Sequence, residues 1–224
     1  MININQRLKR VSTYVTGDTL ADIGSDHAYL PIYLIQNQHI KRAIAGEVIH
    51  GPLKAAEDNI ASYGLTSSIS ARLGNGLAVI DPSDDVDCIT ICGMGGPLIA
   101  DILNNGASKL VNHPRLVLQS NIQSEPIRRT LNELNYKIVA EALVEEKGYI
   151  YEIIVADQGE MTLSDEAYKF GPELLQEKDA LFYKKWEREL QALKRIQAQL
   201  NEASHQERLA EITAQIKQLE EVLR

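Results

Sequence analysis

Thr19 to Pro31 reads T-L-A-D-I-G-S-D-H-A-Y-L-P, and the fold is decided there. Leu20, Ala21 and Ile23 form a short apolar run typical of a buried strand. The run breaks at Asp22-Ile23-Gly24, and Ala28 to Gln38 continues with a helical pattern. A strand that stops at a glycine and restarts as a helix is the first β-turn-α unit of a nucleotide-binding α/β sheet. A dinucleotide fold wants three glycines in this turn; here there is one, and Ser25, Asp26 and His27 fill the remaining places. Asp26 would repel a pyrophosphate. A cofactor with no phosphate but with an amino acid end fits instead, which describes S-adenosylmethionine. Asp22 is placed to accept from its ammonium group, and Gly24 lets backbone approach closely. The helix start is expected to add unpaired N–H groups and a positive dipole end. The turn therefore favours a methyltransferase over a dehydrogenase.

Outward from this unit, Arg42 to Val48 reads as a second strand ending at Glu47-Val48, with the acid 25 residues after Asp22. A carboxylate there takes both ribose hydroxyls of the cofactor. Gly51-Pro52 opens a helix to Tyr63, with proline at a favoured first position. Ile69 to Leu73 is a third strand, and Gly74-Asn75-Gly76 after it makes a tight loop assigned to the cofactor's adenine. Asp87 to Cys92 is a fourth strand, breaking into Gly93-Met94-Gly95-Gly96, whose bare backbone forms the floor of the transfer site. Arg115 to Gln119 is a fifth, leading into Ser120-Asn121, and Ser124 caps a helix through Asn135. Lys137 to Val144 and Tyr149 to Val155 form a terminal hairpin. The fold class is α/β: a doubly wound, seven-stranded class I (Rossmann-like) methyltransferase domain over residues 1–159.

Beyond Gln158-Gly159 the composition changes. Residues 160–224 hold one proline and one glycine, Gly171-Pro172. Trp186, Leu190, Leu193, Ile196 and Leu200 share one side of a helix, and Leu209, Ile212, Ile216, Leu219 and Leu223 follow 3-4 spacing. Ser204-His205-Gln206-Glu207 between them is a capping box. An antiparallel coiled-coil helical hairpin is expected. Its 10 Lys+Arg stand against 13 Asp+Glu, yet Lys184, Arg188 and Arg195 fall opposite the apolar seam. That stripe either grips an RNA backbone or is a plain solvated face. Near the N-terminus, a helix over residues 4–15 places Ile4, Leu8, Val11 and Val15 on one face. Arg7, Arg10 and Tyr14 lie beside them, either as phosphate contacts or as the solvated side of a cap helix.

The 224 residues carry a net charge of −8, which argues against non-specific coating of nucleic acid but leaves room for a local RNA-binding patch. No apolar run is long enough for a membrane span, the first ten residues lack a signal-peptide core, and the two cysteines suit a reducing compartment. A cytoplasmic protein is expected. Cys88 and Cys92 read as core packing, and no metal site is expected. On residues alone, a methyltransferase for another RNA or a small molecule stays open, as does a non-catalytic RNA-binding protein.

With D-I-G-S-D-H-A-Y-L-P, G-E-V-x-x-G-P-L, G-N-G-L, I-T-I-C-G-M-G-G and L-Q-S-N in that order, the chain closely resembles the bacterial tRNA (adenine(22)-N(1))-methyltransferase family over essentially its whole length. The resemblance implies S-adenosylmethionine, methylation of adenine N1 in the tRNA D-arm region, and a coiled coil that helps hold tRNA. Asn75 and Ser120 stand where family members commonly carry aspartate and proline. Adenine N1 has its own lone pair, so the transfer needs positioning and polar acceptors more than a strong base. Asp26, Tyr29 and Asn121, beside the Gly93–Gly96 backbone, are the catalytic candidates. Tyr29 either stacks on an extruded adenine or only packs with Tyr33. His27 orients Asp26, contacts substrate, or merely caps. The cofactor set is Asp22, Gly24, Ser25, Asp26, His27, Glu47, Val48, Gly74, Asn75, Gly76, Gly93, Met94 and Gly95; the tRNA set is Arg7, Arg10, Tyr29, Lys184, Arg188 and Arg195. The chain is expected to act as a monomer.

Overall fold

The computed structural model describes residues 1–200 and 205–224. They form two compact units, Met1–Leu175 and Gln176–Arg224, so packing divides the chain later than the composition break at residue 159.

In the first unit, β1 (Thr19–Ile23), β2 (Arg42–Glu47), β3 (Ile69–Leu73), β4 (Cys88–Gly95), β5 (Arg115–Ile122), β6 (Tyr136–Glu146) and β7 (Tyr149–Gln158) build one sheet in the order β3-β2-β1-β4-β5-β7-β6. β1 to β5 run parallel, and β7 lies antiparallel between β5 and β6. This is the expected doubly wound, seven-stranded arrangement. β1 is buried at all five positions, as a central parallel strand covered on both faces must be. Strand alternation divides its apolar residues between two cores. Leu20, Ala43 and Ala45 pack with Val11 of α1 (Gln6–Ser12), Ile32 of α2 (Tyr29–Gln36) and Ile60 of α3 (His50–Ser62). Ala21, Ile23 and Ile44 pack with Ile99 and Leu103 of α4 (Gly96–Asn105) and Ile127 and Leu131 of α5 (Glu125–Glu133).

Three local readings change. The N-terminal helix is shorter than residues 4–15, because the Asn5 side chain caps it by accepting from the Leu8 N–H at 2.8 Å; Ile4 and Val15 still enter the core from the flanking chain. β4 does not end at Cys92 but continues through Gly95 by way of irregular pairing around Met94. Ser124 precedes α5 as expected, yet its hydroxyl pairs with Ser120 Oγ at 2.6 Å and caps nothing. The hairpin between β6 and β7 closes on Lys147-Gly148, both at positive φ (50° and 83°), which matches a two-residue turn between twisted strands.

After the sheet come α6 (Asp165–Phe170) and α7 (Pro172–Glu177). Arg128 of α5, fully buried, donates to Glu141 Oε1 (2.7 Å) and Glu152 Oε2 (2.6 Å) and to the carbonyls of Tyr168 (3.1 Å) and Lys169 (3.2 Å). One guanidinium thus ties α5, β6, β7 and α6 together.

The second unit is a pair of antiparallel helices, α8 (Ala180–Gln199) and α9 (Gln206–Val222), joined by Gln197 Nε2 to Thr213 Oγ1 at 2.9 Å and a Lys194–Glu220 ion pair at 2.6 Å. Trp186, Leu190 and Leu193 are buried with Ile212, Ile216, Leu219 and Val222. Ile196 is exposed, and Val222 takes the seam position expected of Leu223. The capping box includes Ser204, which lies outside the described residues; α9 starts after His205, which makes no side-chain cap bond. Among the described residues no helix is long and apolar enough to cross a membrane.

Candidate active site

β1 delivers Asp22 to the carboxyl edge of the sheet, 3% exposed. Its Oδ2 accepts from Ser25 Oγ and its Oδ1 from Thr90 Oγ1, both at 2.6 Å. Burial pushes its carboxyl up to about 6; the two hydroxyls pull back, and Glu47 and Asp26 push further up. Among the described residues, no basic side chain pairs with it. A buried carboxylate held only by neutral donors has the chemistry to pair with a cation.

The turn after β1 is held from β2. The N–H groups of Gly24 and Ser25 both donate to the Gly46 carbonyl (2.9 and 3.2 Å), and the Asp26 N–H donates to Glu47 Oε1 (2.7 Å). These donors are therefore already engaged within the protein. Gly24 sits at φ +68°, a backbone conformation that strains an L side chain; a Cβ there would also displace the Met94 methyl, 2.3 Å away. Asp26, His27 and Ala28 follow with φ of 43°, 66° and 57°. Three left-handed residues in succession are strained. Asn59 Nδ2, donating to the His27 carbonyl at 2.7 Å, props them from α3. The His27 and Tyr29 rings stack at 5.3 Å, and His27 Nε2 lies 3.6 Å from Asp26 Oδ1.

Glu47 ends β2, nearly buried, and burial raises its carboxyl above the ordinary range against the pull of the Asp26 N–H. Oε1 takes that N–H, and Oε2 accepts no hydrogen bond among the described residues. Val48 beside it is exposed, and the Gly74 N–H donates to the Glu47 carbonyl at 2.8 Å. Asn75 and Gly76 lead into a short 3-10 turn, Gly76–Val79.

A cavity of about 440 Å³ opens at the strand ends. Of the residues singled out above, it brings together Arg7, Asp22, Gly24, Ser25, Asp26, Tyr29, Gly93, Met94 and Asn121. His27, Glu47, Val48, Gly74, Asn75, Gly76 and Gly95 lie outside its lining. Arg10 is turned onto Tyr14, 5.1 Å from the ring centre. Cys92, read as core, is half-buried and forms part of the cavity wall; Tyr151 forms another part and went unnoticed in the sequence.

Gln119 was also overlooked. It is fully buried on β5, and its Oε1 accepts from the Gly93 N–H (2.9 Å) and from Arg7 Nη1. Its Nε2 donates to Asn121 Oδ1 (3.1 Å), and Asn121 Nδ2 donates to the Gly93 carbonyl (2.7 Å). Arg7 lies over the Tyr151 ring at 5.5 Å and has no carboxylate partner among the described residues. An amide two residues before Asn121, directly after the apolar run Leu116–Leu118, was the available signal, since i and i+2 face the same way.

In the helix pair, Lys184, Arg188 and Arg195 edge an open groove of about 690 Å³ with Leu190 and Leu223 in its wall; Glu187 and Glu220 share it.

Comparison with known proteins agrees with this architecture. A family model described as tRNA (adenine(22)-N(1))-methyltransferase matches residues 20–221. The chain is 40% identical to the tRNA (adenine(22)-N(1))-methyltransferase of Bacillus subtilis over 233 residues, covering 99% of this chain and 98% of that protein. It is similar to the Streptococcus pneumoniae protein Sp1610 solved in complex with S-adenosyl-L-methionine, with a TM-score of 0.91, 42% identity and full coverage of both chains. It is also similar to M. capricolum TrmK solved with S-adenosyl-homocysteine, with a TM-score of 0.89, 31% identity and 99% of each chain covered.

Proposed function

Since the chain belongs to the tRNA (adenine(22)-N(1))-methyltransferase family, we propose that its cavity faces S-adenosylmethionine on the Asp22 side and the target adenine on the Asn121 side. The protein catalyses S-adenosylmethionine-dependent methylation of N1 of adenine 22 in tRNA. The observation that carries the residue assignments is Asp22: a buried carboxylate with two hydroxyl donors and, among the described residues, no cation of its own, two positions before a glycine at positive φ.

S-adenosylmethionine supplies a methyl group on a positively charged sulfur. Asp22 holds its ammonium, Oε2 of Glu47 takes the ribose, Val48 and Gly74-Asn75-Gly76 border its adenine, and Gly93-Met94-Gly95 form the floor. Asp26 and Asp22 keep the site acidic where positive charge passes to the base. No residue has to remove a proton from N1. What the chain supplies is alignment, with N1 held about 3 Å from the methyl carbon. Tyr29, already stacked on His27, offers its ring to the extruded base. Arg7, Arg10 and the Lys184, Arg188 and Arg195 stripe meet the RNA backbone.

Incubating the protein with labelled cofactor and unmodified tRNA should place the label on N1 of adenine 22; label on another nucleoside overturns the assignment. Glu47→Ala is expected to weaken cofactor binding by about 1.5–3 kcal/mol, read by calorimetry, with folding retained; unchanged affinity removes the ribose role. Changing Lys184, Arg188 and Arg195 together to glutamate should weaken tRNA binding and flatten its salt dependence, each lost phosphate contact taking about 0.7–0.9 from the slope. Indifference of the slope would leave the stripe as a solvated face.

A further inference from the structure

We infer that Gln119 is a positioning residue that sets adenine specificity, by locking the Asn121 amide so that its oxygen meets the 6-amino group of the target base. This deepens the tRNA methyltransferase reading and rests on it. The chemistry of the hydrogen-bond ring fixes every orientation in it. The Gly93 N–H and the Arg7 guanidinium can only donate, so both require the Gln119 oxygen. That turns Gln119 Nε2 toward Asn121, which must answer with Oδ1. Asn121 Nδ2 is then aimed at the Gly93 carbonyl, which can only accept. The ring closes on both polar atoms of one peptide residue, and neither amide can flip without setting donor against donor or acceptor against acceptor.

A carboxamide oxygen has two lone pairs. Gln119 occupies one on Asn121 Oδ1; the other is left for the cavity that Asn121 lines. An adenine offers that oxygen the N–H of its 6-amino group. Guanine or hypoxanthine would offer a carbonyl, so two acceptors would face each other across the site. The contact also strengthens during reaction. As N1 bonds to the methyl carbon and the C–S electron pair leaves with sulfur, positive charge spreads over the purine onto the 6-amino group and makes it a better donor. An interaction that grows toward the transition state raises turnover as well as binding. Without Gln119, Asn121 keeps only the bond from Nδ2 to the Gly93 carbonyl and loses the donor that pins its oxygen, so Oδ1 is no longer held in place toward the 6-amino group.

The test uses the full chain and tRNA assembled with adenine, purine (no 6-substituent) or hypoxanthine at the target position. Wild-type kcat/KM should fall by about tenfold or more from adenine to purine, the scale of one lost hydrogen bond, and further for hypoxanthine. In Gln119→Met, close to isosteric and apolar, the adenine-to-purine ratio should shrink by about the same factor through loss on adenine, in kcat more than KM. Gln119→Glu keeps acceptors for Arg7 and Gly93 but has no donor for Asn121; it should show the same collapse, and it covers the case in which the methionine variant folds poorly. Comparing ratios cancels the lower intrinsic reactivity of purine N1. Cofactor affinity and melting temperature are the controls for a merely structural effect. A ratio that stays at the wild-type value in either folded variant overturns the proposal. Wild-type methylation of the adenine tRNA reports separately on the activity itself.

Discussion

Asp22→Asn is expected to raise the unfolding midpoint of the unliganded protein at pH 7 while removing tight binding of S-adenosylmethionine. The Asp22 carboxyl ionises near 6 in the folded chain and near 3.8 when exposed. A raised folded value means the folded state favours the neutral acid. Its contribution is fully present below about pH 4 and is lost as pH rises through 6. Above that, the buried charge costs on the order of 3 kcal/mol. Asparagine has no charge to bury, and the Ser25 and Thr90 hydroxyls can rotate to suit an amide. The ammonium of the cofactor, however, would then meet a dipole, a loss of about 2–5 kcal/mol. In the wild type the same ionisation should weaken cofactor binding about tenfold for each pH step below 6, and the variant should lack that dependence. Thermal melts and calorimetry across this range decide it. A lower midpoint with unaltered affinity would contradict both halves.

Arg128→Met should cost about 3–5 kcal/mol of folding stability, the largest effect expected of any single change away from the site. Burial opposes the Arg128 charge, and Glu152 and Glu141 overcome that opposition. Removing the guanidinium takes a buried ion-pair partner from two carboxylates, 0% and 3% exposed. Burial already raises the Glu141 carboxyl, and Arg128 holds it down. In the variant, then, Glu141 should take up a proton and the deficit should shrink as pH falls. Adding Glu141→Gln and Glu152→Met should recover much of the loss, since the glutamine oxygen can still accept from the Glu173 N–H, now 3.0 Å from Glu141 Oε2. Urea unfolding of the single and triple variants measures both. Equal deficits in the two would mean packing matters here and charge does not.

What could be read ahead of the structure was whatever a short stretch of chain decides alone. The single-glycine turn, the acid 25 residues on, the strand alternation and the final hairpin are local patterns, and the seven strands follow from them. Partner choice was hidden. The N–H groups of Gly24, Ser25 and Asp26 are taken by Gly46 and Glu47, on a strand that arrives about twenty residues later and that no local pattern points to. Arg128 and Arg129 are adjacent and chemically identical; one is fully buried and the other rides the surface over Tyr168, because only one faces Glu141 and Glu152. Gln119 shows only its spacing to Asn121 in the sequence; its bonds to Gly93 and Arg7 join residues that no spacing connects.

The placement of β7 bears on the order in which the molecule comes into being. It inserts between β5 and β6 although it is made last. Until residue 158 leaves the ribosome, the edge of β5 has no neighbour on that side. The first four strands can pair as they emerge, and with them the half of the pocket that receives the methyl donor. The half proposed to judge the base, Gln119 and Asn121 on β5 beside Tyr151 on β7, is framed only when that final strand slots in. A nascent chain stalled before it is expected to recognise the donor before it can discriminate among RNA bases.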